Sequence, residues 1–256
     1  MPVALAAAFA SIAAAFLVGL WAYQRRTQDA ATADVGWTVL VAAGAIVAAL
    51  IADGDGWRRA LVGAMAATSS IRLGAHLLRD RVLSGRGEDG RYRALREKWG
   101  ANAQRNFLVL YLAQGLVAFL FVIPLAAAMR GGAPDLWAAA GVLVWAVALA
   151  GESTADRQLA AFRADPANAG AVCRTGLWSW SRHPNYFFEW LQWWAYVLIG
   201  HGAPLTWMGP VLMFLFLRFM TGIPYTEKQA LRTRGDAYRE YQRTTSAFIP
   251  LPPRAP

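Results

Sequence analysis

Three sets of polar side chains recur at helical spacing inside otherwise apolar sequence. Arg72, His76 and Arg79 lie at i, i+4 and i+7, and Glu152, Asp156 and Arg163 at i, i+4 and i+11. Asn185, Glu189 and Gln192 lie at i, i+4 and i+7. On a helix each set falls along one stripe. The guanidinium groups suit phosphate, which Arg grips with two parallel hydrogen bonds. The carboxylates and amides suit hydroxyls or a carboxamide. The competing reading is structural, with Arg and Glu pairing across helices or reaching along their stems to the interface. That reading fits Arg79 and Arg218, near block ends, better than it fits Arg72 and Glu189.

Other chemistry is absent from the sequence. There is no G-x-G-x-x-G or Walker sequence, and Gly85-Arg86-Gly87 alone does not make a phosphate loop. No G-x-S-x-G elbow is present. His183 has no second His or carboxylate at metal-ligand spacing, so no metal is expected. The single cysteine, Cys173, excludes an internal disulfide and a Cys-cluster metal site, and reads as a spectator thiol beside Arg174.

The elements that must carry these residues follow from composition. Of 256 residues, 57% are apolar and 16% charged. Soluble domains carry about 25% charged residues, so this chain is too apolar for an ordinary cytosolic enzyme. Its charge of +9 fits a membrane protein better than a nucleic-acid binder, because the basic residues sit between apolar blocks. Seven blocks approach the roughly 20 residues of a membrane span: 3–23, 37–52, 60–78, 107–129, 136–151, 185–200 and 205–225. The first is expected to stay as a span rather than be cleaved as a signal peptide, since no basic residue precedes it and Arg25-Arg26 follow. The expected fold is all-α, a polytopic seven-transmembrane-helix bundle forming one membrane-embedded domain over residues 1–256.

Orientation follows from charge. With Arg72 and Arg218 counted in the segments they lead into, 22 of the 25 Lys and Arg residues fall after blocks one, three, five and seven. Positive charge favours the cytoplasm. The N-terminus is therefore expected outside and the basic C-terminal tail inside, in a bacterial inner membrane. Segments 53–57, 130–135 and 201–204 are short and rich in Gly, Pro or Asp, as tight turns are. The cytoplasmic segments are longer, and function is expected there or in the helix interiors just above.

The segment Thr175-Gly-Leu-Trp-Ser-Trp-Ser-Arg-His-Pro-Asn-Tyr-Phe-Phe-Glu189, preceded by Asp156-Arg-Gln158 and Asp165-Pro-Ala-Asn168, resembles the C-terminal domain of the steroid 5-alpha-reductase family. It is most similar to the bacterial membrane branch. The tail fits as well, with Gly222-Ile-Pro224, Glu227, Gly235-Asp-Ala-Tyr238-Arg-Glu-Tyr241 and Thr245-Ser-Ala-Phe-Ile-Pro250. So does Arg72-Leu-Gly-Ala-His76, followed by Gly87-Glu-Asp89-Gly-Arg91-Tyr92. The resemblance covers about residues 34–253 and is best over 152–253.

That resemblance implies an NADPH-dependent CH–CH oxidoreductase of lipid metabolism, acting on an activated C=C bond of a lipophilic molecule: a sterol-like, isoprenoid or fatty acyl enone. Asn185 and Glu189 would contact the nicotinamide end. Asp156, Arg163, Arg174, Arg182 and His183 would lie along the ribose and phosphate portions, with Tyr225, Glu227, Tyr238 and Tyr241 as further cofactor-binding residues. Arg72 and His76 would reach in from the third span. Charge developing on the conjugated oxygen needs a buried donor; His76, Tyr186 and Asp34 are the catalytic candidates, Asp34 only as the neutral acid. The Gln-Glu pair of steroid-reducing members has no counterpart here, with Asp34 and Trp37 in roughly that region. The expected partners are the lipophilic substrate and membrane lipids, without nucleic acid, and the expected state is a monomer.

Isoprenylcysteine carboxyl methyltransferases share Arg-His-Pro-x-Tyr and a similar Glu, Gly and two-Tyr tail, which keeps an S-adenosylmethionine-dependent membrane methyltransferase as the alternative. A non-catalytic lipid-binding membrane protein is the third reading. Glu189 four residues after Asn185, and arginines for which adenosylmethionine has no phosphate, favour the reductase.

Overall fold

A computed structural model describes residues 3–85 and 87–254, with the side chains of residues 3–7 left undescribed. Arg86 of the Gly85-Arg86-Gly87 stretch lies outside the described residues. Among these the chain is helical, with one isolated bridge between Ser181 and Ser246. It separates into two compact units, Met1–Pro134 and Asp135–Pro256.

The first unit holds α1 (Val3–Thr27), α2 (Thr32–Ile51), α3 (Gly56–Leu77), α4 (Gly90–Trp99) and α5 (Ala103–Met129). A π-turn, Leu78–Val82, continues α3. Helix α2 packs on α3 and α5, and α1 packs on α5. Small residues allow this, since within lipid helices associate through close packing rather than hydrophobic exclusion. A Cβ on Gly74 would stand 2.5 Å from Thr38 Oγ1, and one on Gly44 would stand 2.5 Å from Val122 Cγ2. The Asp89 carboxylate caps α4 by accepting from the Arg91 N–H at 2.9 Å. Burial alone would raise its pKa, but the neighbouring Arg91 and Arg81 outweigh that and hold it below the usual carboxylate range.

The second unit holds α6 (Leu136–Ala164), α7 (Pro184–Ile199), α8 (Met208–Leu215) and α9 (Ile223–Thr244). Asp135 caps α6, its Oδ1 accepting from the Ala138 N–H at 2.8 Å. Pro184 opens α7, where a missing N–H costs nothing. Helices α6 and α7 form the main contact of this unit. A Cβ on Gly141 would lie 2.6 Å from Ile199 Cγ1 and 2.7 Å from the Ala195 carbonyl oxygen, so only Gly permits that approach. A second π-turn, Phe216–Met220, follows α8. Helix α9 bends at Gly235, whose φ of 50° and ψ of −124° are non-helical.

Among the described residues, five helical stretches are long and apolar enough to cross a membrane: Thr32–Ile51, Gly56–Val82, Gly90–Met129, Leu136–Ala164 and Pro204–Thr244. The chain is an integral membrane protein. Helices α1 and α7, the latter of 16 residues, occupy the other two blocks expected to span. Two elements lie outside the sequence expectation. Helix α4 fills part of the segment between the third and fourth blocks, and the basic tail forms the amphipathic helix α9.

Candidate functional site

The polar stripe of α7 is built by its N-terminal turn. His183-Pro184 starts the helix, which puts Asn185, Glu189 and Gln192 on successive turns of one face. Glu189 and Gln192 are buried, and Asn185 is half-buried. From α6, the buried Asp156 meets this face, with the Asn185 Nδ2 donating to its Oδ1 at 3.3 Å. Glu152, one turn earlier on α6, is buried as well. Gln192 Oε1 is buried and accepts no hydrogen bond from a described residue. In an apolar interior such an acceptor costs about 1–3 kcal/mol until a donor reaches it.

A second cluster lies at the start of α7. Glu227 of α9 accepts from Arg182 Nε at 2.7 Å, forms an ion pair with Arg182 NH2 at 2.6 Å and accepts from Gln242 Nε2 at 2.9 Å. Arg182 NH1 also donates to the carbonyls of Thr245 at 2.5 Å and Gln242 at 3.1 Å. His183 Nε2 lies 3.3 Å from Glu227 Oε1. Burial lowers the His183 pKa and outweighs the pull of Glu227. The neutral imidazole therefore carries its proton on Nε2 and donates it to that carboxylate. Its ring stacks on Tyr186 at 5.4 Å. The Tyr186 hydroxyl lies 3.5 Å from Thr226 Oγ1.

This geometry gives Arg182 another task than the expected grip on phosphate. Its hydrogen bonds go to Glu227 and the end of α9, so it ties the tail to α7. Tyr241 serves the same end, its hydroxyl donating to the carbonyls of Trp178 and Ser181. Tyr238 is buried beside it, with ring centroids 5.7 Å apart. Arg174 donates to the Ala237 carbonyl, and its guanidinium sits 5.5 Å from the centre of the Tyr241 ring. Arg163 and Tyr225 are exposed. Cys173 is buried, with Sγ 4.0 Å from Thr175 Oγ1.

Two supports escaped the sequence reading. Gln158 Oε1 accepts from the Leu177 N–H at 2.9 Å, and Trp178 Nε1 donates to the Ala155 carbonyl at 2.9 Å. Together they pin the 176–179 turn to α6. Gln158 stands in the quoted motif, but a lone Gln carries no signal for a backbone contact 19 residues away.

The first unit holds the remaining candidates. Arg72 and His76 lie one turn apart on α3 and are half-buried. Asp34 accepts from Arg81 NH1 at 2.5 Å, Arg91 NH2 at 2.7 Å and the Tyr92 hydroxyl at 2.6 Å. Three donors, two of them cationic, claim this carboxylate, so it sits as an anion rather than as the neutral acid a proton donor needs. That corrects the expectation for Asp34. The π-turn after α3 carries Arg81, and Arg91 and Tyr92 come from the first turn of α4.

Buried carboxylates and amides on facing helices, on a chain with five potential spans, define an all-α integral membrane protein with a polar interior. The chain belongs to the DUF1295 family, described as proteins of unknown function, whose model matches residues 20–245. No curated protein and no solved structure matches it.

Proposed function

We propose that the protein is an NADPH-dependent reductase of a lipophilic, activated alkene, with the α7 stripe receiving the nicotinamide end. The observation that carries this reading is Gln192 Oε1, a buried acceptor without a partner among the described residues on the face shared by Asn185 and Glu189. A carboxamide brings an NH2 donor and no charge, which suits such a face. The cofactor would supply hydride chemistry. Asn185, Glu189 and Gln192 would bind and orient its amide, and the exposed Arg163 and Arg174 would meet its phosphates. Arg182 and His183 would hold the tail against α7 and so shape the entrance. Tyr186, half-buried beside His183, is the hydrogen-bond donor retained for the substrate oxygen. The substrate is a sterol-like, isoprenoid or fatty acyl enone drawn from the bilayer.

Binding to detergent-solubilised protein tests this. NADPH is expected to bind saturably, and Glu189→Gln to weaken it by about 1–3 kcal/mol, the range for a charged hydrogen bond. Arg163→Ala should weaken NADPH more than NADH, which lacks the 2′-phosphate. Saturable S-adenosylmethionine binding without NADPH binding would hand the site to the methyltransferase alternative.

We further propose seven spans with the N-terminus outside and the C-terminus in the cytoplasm, from the 22-to-3 split of basic residues. Reporter fusions after Pro256 and within residues 201–204 are expected on opposite sides of the membrane. Finding both on one side would refute this topology.

A further inference from the structure

We propose that the cleft beside the C-terminal ribbon binds the phosphate of an anionic phospholipid headgroup. The ribbon forms where the tail runs alongside residues 180–182. Ser181 bridges Ser246, Arg182 N–H donates to the Ser246 carbonyl at 2.8 Å, and Leu251 N–H donates to the Trp180 carbonyl at 3.0 Å. The Ser181 hydroxyl donates to the Phe248 carbonyl at 2.9 Å. Phe248 is buried against Phe187 and Trp190 of α7 and Phe214 of α8, at 6.0, 5.6 and 5.7 Å. The ribbon is thereby pinned to the mouth of apolar helices, and Pro184 starts α7 two residues after Arg182.

That position gives its exposed side chains a meaning. Trp180 is 47% exposed, Ile249 54% and Leu251 48%. Facing water, three such groups on one short ribbon are unfavourable, whereas the headgroup layer accepts them and Trp favours it. Beside them lies a cavity of about 220 Å³ lined by Arg182, Arg243, Arg254, Thr244, Ser246 and Leu251 among others. The end of α9 would ordinarily repel an anion through its free carbonyls. Here the carbonyls of Gln242, Thr244 and Thr245 already have donors. Arg182 donates to Gln242 and Thr245, and the Arg254 N–H donates to Thr244 at 2.8 Å.

The charge balance then favours an anion. Glu227 neutralises Arg182, and Glu240 pairs with Arg243 three residues along α9. The Arg254 side chain has no ion pair among the described residues and supplies the surplus positive charge. Arg243 is 76% exposed, and exposed pairs contribute little, so it turns to a phosphate at small cost. The Ser246 hydroxyl adds a neutral donor. A free phosphate would satisfy the arginines alone; the apolar rim selects a phosphate that carries acyl chains.

Thermal unfolding of the full chain in zwitterionic detergent tests the assignment. Dioctanoyl phosphatidylglycerol is expected to raise the midpoint saturably, while dioctanoyl phosphatidylcholine and inorganic phosphate do not. Arg243→Gln with Arg254→Gln should weaken the phosphatidylglycerol response at least tenfold, and Ile249→Ser should weaken it while leaving the unliganded midpoint unchanged. An equal response to phosphatidylcholine, an equal response to inorganic phosphate, or a phosphatidylglycerol response unaltered by the double substitution would each overturn it.

Discussion

Replacing Arg182 by Ala is expected to destabilise the protein by about 3–5 kcal/mol, the cost of breaking a buried charge pair from one side. Arg182 is 9% exposed, and its guanidinium serves Glu227 and two carbonyls at the end of α9. Its removal leaves Glu227 with Gln242 and the neutral His183, neither of which cancels a charge. Two carbonyls lose their donor in the same step. Unfolding in mixed micelles gives the free energy. The paired variant Arg182→Met with Glu227→Leu should recover part of the loss, since an apolar pair leaves no stranded charge. A single variant within 1 kcal/mol of the wild type would show that Arg182 does not hold the tail.

The second large effect is expected at Asp34. Its carboxylate is where Arg81 from the π-turn and Arg91 and Tyr92 from α4 converge. Asp34→Ala leaves two guanidinium groups that are about one-fifth exposed to share the Asp89 carboxylate, and about 3 kcal/mol should be lost, the low end of the buried-pair range, because one carboxylate then faces two cations. Tyr92→Phe removes one hydrogen bond from the same carboxylate and should cost about 1 kcal/mol. The comparison separates charge from hydrogen bonding. Equal losses in the two variants would mean that the arginines find other partners, and that Asp34 is not the joint between α2, α3 and α4.

How far the sequence reaches is clear from these two sites. Apolar runs mark the membrane helices because length and hydropathy are local properties. The stripe at Asn185, Glu189 and Gln192 is equally local, one helix with one period, and the structure keeps it on one buried face. Asp156 meeting Asn185 crosses from α6 to α7, and only the family resemblance placed the two near each other. Arg182 illustrates what spacing cannot deliver. Beside His183-Pro184 it reads as a ligand for phosphate, yet its partner lies 45 residues on, in a tail whose helix the hydropathy profile does not mark. The anionic setting of Asp34 is illegible in the sequence for the same reason. Its three donors are 47, 57 and 58 residues away and arrive through a π-turn and a helix cap.

The π-turns at 78–82 and 216–220 have a bearing on how chains of this kind diverge. Each holds one residue more per turn than an α-helix requires. Loss of one residue there would leave an unbroken helix and rotate everything beyond it by about 100°, the angular step of one α-helical residue. Arg81 would then swing away from Asp34. Residue number at these two turns is therefore a coordinate in its own right: a lineage can exchange side chains there gradually, but an insertion or deletion re-aims a whole face in a single event.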